Sequence, residues 1–227
     1  ANSLFYAVFG TAANLFFMLT SAFCMARQPA FKGKGIIMGA FVFTMYFGGG
    51  LIPYYLLIKS MKLLDNRLVM ILPGALSVYN MIIVRTFFQS TIPQSLYDSA
   101  RIDGSGDIGM FLRITLPLSK PIIAVMALFC AVGHWNSYFG AMIFLPSFEK
   151  QPLQLVLRRI LILNQSLSEM EMSNKTTEEL RDLVKRQALA DSIKYAVIYI
   201  ASLPVLVAYP FVQKYFVQGV MIGAIKG

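Results

Sequence analysis

Ser3-Leu-Phe-Tyr-Ala-Val-Phe-Gly-Thr-Ala-Ala-Asn-Leu-Phe-Phe-Met-Leu-Thr-Ser-Ala-Phe-Cys-Met25 decides the fold class. The stretch carries no charge and is broken only by Asn14 and small hydroxyl residues. A helix rises about 1.5 Å per residue, so crossing a hydrocarbon layer of about 30 Å takes about 20 apolar residues. Residues 3–25 therefore read as a membrane span. Four further runs qualify: 36–58, with Gly48-Gly49-Gly50 and Pro53 inside it; 68–84; 122–145; and 195 to about 212. The expectation is an all-α, polytopic transmembrane bundle of five spans in a single domain, residues 1–227. An inner loop covers 87–121 and an outer loop 146–190.

Composition supports that class. Of 227 residues 57% are hydrophobic and 14% charged, and the mean hydropathy is +0.63. Soluble domains carry about 25% charged residues. With so few charges, lipid must cover much of the surface. The net charge of +9 sits mostly between the apolar runs, which points to anionic lipid headgroups and away from nucleic acid. Cys24 and Cys130 fall inside apolar runs without metal-ligand spacing and read as small buried hydrophobes. Ala1 is not an initiator Met and no charged segment precedes an apolar core, so a trimmed start is expected, not a signal peptide. Arg27, Lys32 and Lys34 after the first span, Arg85, Arg101, Arg113 and Lys120 around the loop 87–121, and Lys214 and Lys226 near the end share one side if the spans alternate. That side is assigned to the cytoplasm. The opposite side holds Lys59, Lys62 and Arg67, and the loop 146–190 adds seven basic and six acidic residues.

The loop 92–121 carries the functional signal. Pro93 suits a first helical turn and Gly104 a helix C-terminus. Between them Leu96, Tyr97 and Ala100 are expected on one face. Asp107 suits the start of a second helix with Met110, Phe111 and Ile114 as its apolar face, and Pro117 and Pro121 restart the chain for the next span. Two short amphipathic helices joined by a Gly-rich elbow need a groove to bury their small apolar side chains, and a partner protein can supply one. In the outer loop, Thr177 suits the cap of a short helix with Leu180 and Val184 on one face.

At these residues the chain resembles the permease subunits of type I ABC importers, in the carbohydrate branch that includes the maltose permeases. The family signature is Glu-Ala-Ala, three positions, Gly, and later Leu-Pro. Asp98-Ser99-Ala100, Asp103-Gly104, Phe111 and Leu116-Pro117 stand at the matching places. Asp98 replaces Glu, Ser99 replaces the first Ala, and Ser105 replaces the Ala usual after Gly. The resemblance extends to Ala26-Arg27, Phe31-Lys32-Gly33-Lys34, Trp135-Asn136 and the tail 219–227, and family members usually carry one further N-terminal span. It implies that Leu96, Tyr97, Asp98, Ser99, Ala100, Asp103, Gly104, Phe111, Leu116 and Pro117 couple the chain to a cytoplasmic ATPase. The implied partners are a second permease of different sequence, two ATPase subunits that bind ATP and Mg, an extracytoplasmic solute-binding protein, and membrane lipid. The implied location is the bacterial inner membrane. No cofactor is expected on this chain. The basic outer loop points to an acidic oligosaccharide, and the chain is most similar to permeases for uronate-type oligosaccharides such as alginate or aldouronate.

Other patterns lead elsewhere or nowhere. Gly104-Ser-Gly106-Asp-Ile-Gly109 spells a dinucleotide fingerprint, but a charged helix and not a buried strand precedes it. No phosphate-binding G-x-x-x-x-G-K-[ST] loop occurs, so the chain is read as non-catalytic. His134 has no Cys, Asp or Glu at ligand spacing and is read as a packing or cavity residue, not a metal ligand. Gly35-x-x-x-Gly39 and Gly219-x-x-x-Gly223 are weak packing signals. Polar groups within spans are the candidates for a solute path: Tyr79 and Asn80 in the third, and Trp135, Asn136 and Tyr138 in the fourth. Their rings suit sugar faces and their amides suit hydroxyls. Inter-helix hydrogen bonding is the competing role for the same residues. A channel or secondary transporter would need no docking helix, and a membrane enzyme would need a clustered catalytic set that the sequence lacks.

Overall fold

Residues 2–26 contain no charged side chain, and they form one unbroken helix, α1 (Asn2–Ala26). Its 25 residues rise about 37 Å, enough to cross a bilayer. The computed structural model describes residues 1–27, 32–170, 192–193, 195–207, 209–210 and 213. Every regular element among the described residues is helical. The run 174–186 with its Thr177 cap, Phe31 and the tail 219–227 lie outside them.

The apolar run 36–58 is not one continuous helix. It divides into α2 (Lys34–Tyr46) and α3 (Leu51–Ser60), bent by 116° at the break. Gly50 adopts φ +81 there, a region open to glycine. Pro53 falls in the first turn of α3, where a missing N–H costs nothing. The run expected over 68–84 also differs. A 3-10 turn at Arg67–Met70 leads to Pro73-Gly74, and the helix starts only at α4 (Val78–Thr91), with the Ser77 side chain accepting from the Asn80 N–H. Hence α4 continues into residues assigned from sequence to the loop 87–121.

Next come α5 (Gln94–Ile102), α6 (Asp107–Leu118, with a π turn at Phe111–Thr115) and α7 (Lys120–Asn136). The run 122–145 ends its first helix at Asn136, because Ser137 turns extended, and resumes as the short α8 (Phe139–Phe144). The outer loop contains α9 (Leu153–Met170), a helix that the mixture of Leu with Arg158 and Arg159 had concealed. An apolar helix, α10 (Tyr195–Val207), follows. By length and composition α1 can cross a membrane alone, and the bent pairs α2–α3 and α6–α7 pass together.

Packing joins α1 to α4 and α7 in two apolar clusters. At one end Met18, Ala22 and Phe23 of α1 meet Met81, Val84 and Phe88 of α4, together with Tyr97, Met110 and Met126. At the other end Tyr6 meets Ile58, Leu63, Val69, Phe144 and Leu155. This second end is closed by polar ties: Tyr6 Oη donates to the Lys150 carbonyl at 2.6 Å, and the Leu153 N–H to Ser3 Oγ at 2.7 Å. Asp65 accepts from Ser147 Oγ at 2.6 Å and from Lys150 Nζ at 2.7 Å.

Candidate functional site

The C-terminal turn of α1 leaves carbonyl groups without helical partners. Side chains from α4 reach them: Arg85 Nε donates to the Met25 carbonyl at 3.0 Å and Gln89 Nε2 to the Ala26 carbonyl at 3.3 Å. Lys34 Nζ donates to the Arg27 carbonyl at 3.1 Å. Cations at a helix C-terminus also complement its dipole. Arg27 itself pairs with Asp107 in the first turn of α6. The end of α1, the start of α2, α4 and α6 thus form one polar joint.

Between α4 and α6 lies α5, and its ends follow from Pro93 and Gly104. Gly104 adopts φ +74. The Gly104 N–H bonds the Arg101 carbonyl at 3.0 Å and the Ser105 N–H bonds the Ala100 carbonyl at 2.8 Å, the paired bonds of a Schellman cap. Only a residue tolerant of positive φ can close the helix this way. The cap turns the chain directly into α6.

One face of α5 is fastened inward. Tyr97 is 7% exposed, its hydroxyl lies 2.9 Å from Thr115 Oγ1, and its ring meets Phe23, whose own ring packs on Phe111. Burial pushes the Tyr97 phenol above its ordinary pKa, so it stays neutral. The π turn carrying Thr115 precedes Pro117, whose ring cannot fit a regular helical turn. The opposite face is open: Leu96 is 42% and Ile102 87% exposed. Asp98 accepts from Gln94 Nε2 at 3.1 Å on this surface.

The sequence candidates for coupling therefore separate. Tyr97, Ala100, Phe111 and Leu116 pack against the core, whereas Leu96, Asp98, Ser99, Asp103, Gly104 and Pro117 are exposed. Leu96 and Tyr97 do not share a face, because neighbours on a helix point about 100° apart.

The solute-path candidates separate too. Asn80 lines a cavity of about 360 Å3 with Asn14, His134 and Ser137. Trp135 turns away from it, donating Nε1–H to the Ala201 carbonyl of α10 at 2.9 Å beside an apolar cavity of about 150 Å3. Tyr138 lies under the Arg158 guanidinium at 4.7 Å, and Asn136 and Tyr79 are exposed. The Asn14–His134 contact at 2.8 Å was not anticipated; the amide inside the charge-free run of α1 was its one signal.

The helical bundle has known counterparts. The family model described as "Binding-protein-dependent transport system inner membrane component" matches residues 3–222. The chain belongs to this family. The permease is 45% identical to protein LplC of Bacillus subtilis over 225 residues, 99% of this chain and 72% of that protein. It is 42% identical over 229 residues to the polygalacturonan/rhamnogalacturonan transport system permease protein YtcP of Bacillus subtilis, covering 99% and 75%. It superposes with a TM-score of 0.80 and 34% identity on a chain of the crystal structure of a bacterial ABC transporter involved in the import of the acidic polysaccharide alginate, covering 95% of this chain and 73% of that one. The type I ABC permease fold expected from the signature loop is the fold found. The chain is a membrane-embedded permease component of an ABC importer, and the channel and secondary-transporter alternatives give way to that assignment.

Proposed function

We propose that the permease forms half of the import pathway for an acidic, uronate-type oligosaccharide and is driven through α5 by a cytoplasmic ATPase. The observation that carries the coupling role is the two-sided character of α5. Its inner face is latched to α1 and α6 through Tyr97, and its outer face offers Leu96, Ser99 and Ile102 to a socket. A helix fastened on one side and exposed on the other can transmit a push as a rigid body. Leu96, Asp98, Ser99, Asp103 and Gly104 would meet the ATPase; Tyr97, Ala100, Phe111, Leu116 and Pro117 would hold the element in place. ATP and Mg would sit on the ATPase subunits, a second permease would complete the pathway, and a binding protein would deliver solute from outside. The location would be the bacterial inner membrane, with the α5 end in the cytoplasm. The names of the pectin-type permease and the alginate importer, and the basic outer segment with Arg158 and Arg159, support an acidic solute.

The test is uptake by proteoliposomes holding both permeases, the ATPase subunits and the binding protein. Oligogalacturonides or alginate oligosaccharides should accumulate only with ATP inside the compartment facing α5. Uptake without ATP, or preference for neutral maltodextrins, would contradict the proposal.

A further inference from the structure

Asn14 lies midway along α1, about 18 Å from either end of the helix, close to the bilayer midplane for a helix of this length. A polar side chain there needs partners, and Asn14 has two. Its Nδ2 donates to the Gly74 carbonyl at 3.0 Å. That bond turns Oδ1 toward His134 Nε2, 2.8 Å away. An amide oxygen only accepts, so Nε2 is the donor in this contact, and the Gly10 backbone is also within hydrogen-bonding reach of the ring. The ring is wedged against Gly10, where any Cβ would strike it. The imidazole is thus fixed in position.

A pair serving helix packing alone needs no space beside it. Here a cavity of about 360 Å3 opens alongside, within the range of about 300–1,000 Å3 typical of small-molecule sites. Asn80, Ser137, Asn14 and His134 give it a neutral polar lining, and Met70, Phe129 and Cys130 an apolar one. Ser137 Oγ donates to the His134 carbonyl at 2.9 Å, which leaves its oxygen lone pairs as acceptors. The Asn80 side-chain amide makes no hydrogen bond to the described residues, so it offers both donors and an acceptor. Among the described residues no Lys or Arg lines the cavity. Groups that donate and accept without charge match hydroxyls, which do the same; the apolar wall matches the C–H face of a sugar ring.

We infer that this cavity is a hydroxyl-reading subsite for one sugar ring of the translocating chain, with Asn80 as the contact residue and the Asn14–His134 pair as its fixed wall. The inference rests on the import function proposed above and adds the site and its selectivity for hydroxyls over carboxylate.

The experiment uses the full reconstituted transporter and two probes, an oligogalacturonide and its carboxyl-reduced counterpart, which keeps the ring hydroxyls. Co-purification with the partner subunits checks assembly of each variant. Asn80→Ala should raise the half-saturating concentration of uptake about tenfold for both probes, the loss of one or two hydrogen bonds. Asn80→Asp preserves size and should raise it more for the acidic probe than for the reduced one, because a carboxylate at low dielectric repels another strongly. Unchanged half-saturation in both assembled variants would overturn the inference while leaving the import function standing. Failure of wild type to take up either probe with ATP would overturn both together. If Asn80→Ala fails to assemble, the ratio of the two probes in Asn80→Asp decides alone: an unequal rise supports the subsite and an equal one refutes it.

Discussion

Tyr97 and Thr115, eighteen positions apart in sequence, share a buried hydrogen bond of 2.9 Å that closes α5 onto the π turn of α6. Thr115 is fully buried and Oγ1 also lies 3.4 Å from the Met110 carbonyl within its own helix. The bond lies where the exposed helix meets the rest of the bundle, so under the proposed coupling role motion of α5 would pass through it. Tyr97→Phe keeps the ring against Phe23 and removes only the hydroxyl, at a cost of about 1–2 kcal/mol. The expected outcome is retained assembly with the ATPase and fewer solute molecules moved per ATP hydrolysed, read from paired uptake and phosphate-release measurements. An unchanged ratio would show that the bond transmits nothing.

Gly104 holds φ +74, and any L residue with a Cβ there costs about 1–2 kcal/mol. Gly104→Val should distort the Schellman cap and shift α6 relative to α5, lowering ATPase association measurably in co-purification. Gly104→Asp should cost less in strain but adds an anion to the exposed elbow, and solute uptake should fall with it. Normal uptake in both variants would refute a coupling role for the elbow.

Gly10→Ala would ordinarily favour a helix by about 1 kcal/mol. Here the added Cβ meets the His134 ring, so the sign should reverse to a destabilisation of about 1–3 kcal/mol. The melting temperature of the purified complex should fall for Gly10→Ala in the wild-type background and rise slightly in a His134→Ala background. Equal effects in both backgrounds would mean that the two residues do not touch.

At the opposite end, hydrogen bonds from Lys150 and Ser147 hold the Asp65 carboxyl at about 2, below its ordinary 3.8. Because the folded value is the depressed one, its contribution is complete above about pH 4 and disappears as pH falls toward 2. Wild type and Asp65→Asn should therefore differ in protease sensitivity at residues 61–66 at pH 7 and pH 5 alike. The difference should shrink as the pH is lowered from 4 to the lowest value the complex tolerates. A difference that persists unchanged to that point would contradict the ionic tie.

The unbroken apolar run 3–25 announced α1, and Pro93 and Gly104 announced both ends of α5, because these signals are local. Gly48-Gly49-Gly50 and Pro53 marked a weak point, but the 116° turn depends on what each half packs against, which no local pattern encodes. The late start of α4 was visible in Pro73-Gly74 and Ser77, and was overridden by the apolar count of 68–84. Trp135 invited a sugar-stacking role until α10 supplied the Ala201 carbonyl, 66 positions away. The Asn14–His134 pair spans 120 positions, so each residue alone looked like a stray polar group in a span.

The most direct test of the central claim is chemical cross-linking from α5. In a variant with Cys24 and Cys130 replaced by Ser, a photoreactive probe is attached to Ser99→Cys or Leu96→Cys, and to Lys62→Cys at the opposite end as a control, within the assembled transporter. The account predicts capture of the ATPase subunit from positions 99 and 96 and none from position 62. Capture of the ATPase from Lys62→Cys, or ATP-driven uptake with no capture from either α5 position, would contradict it.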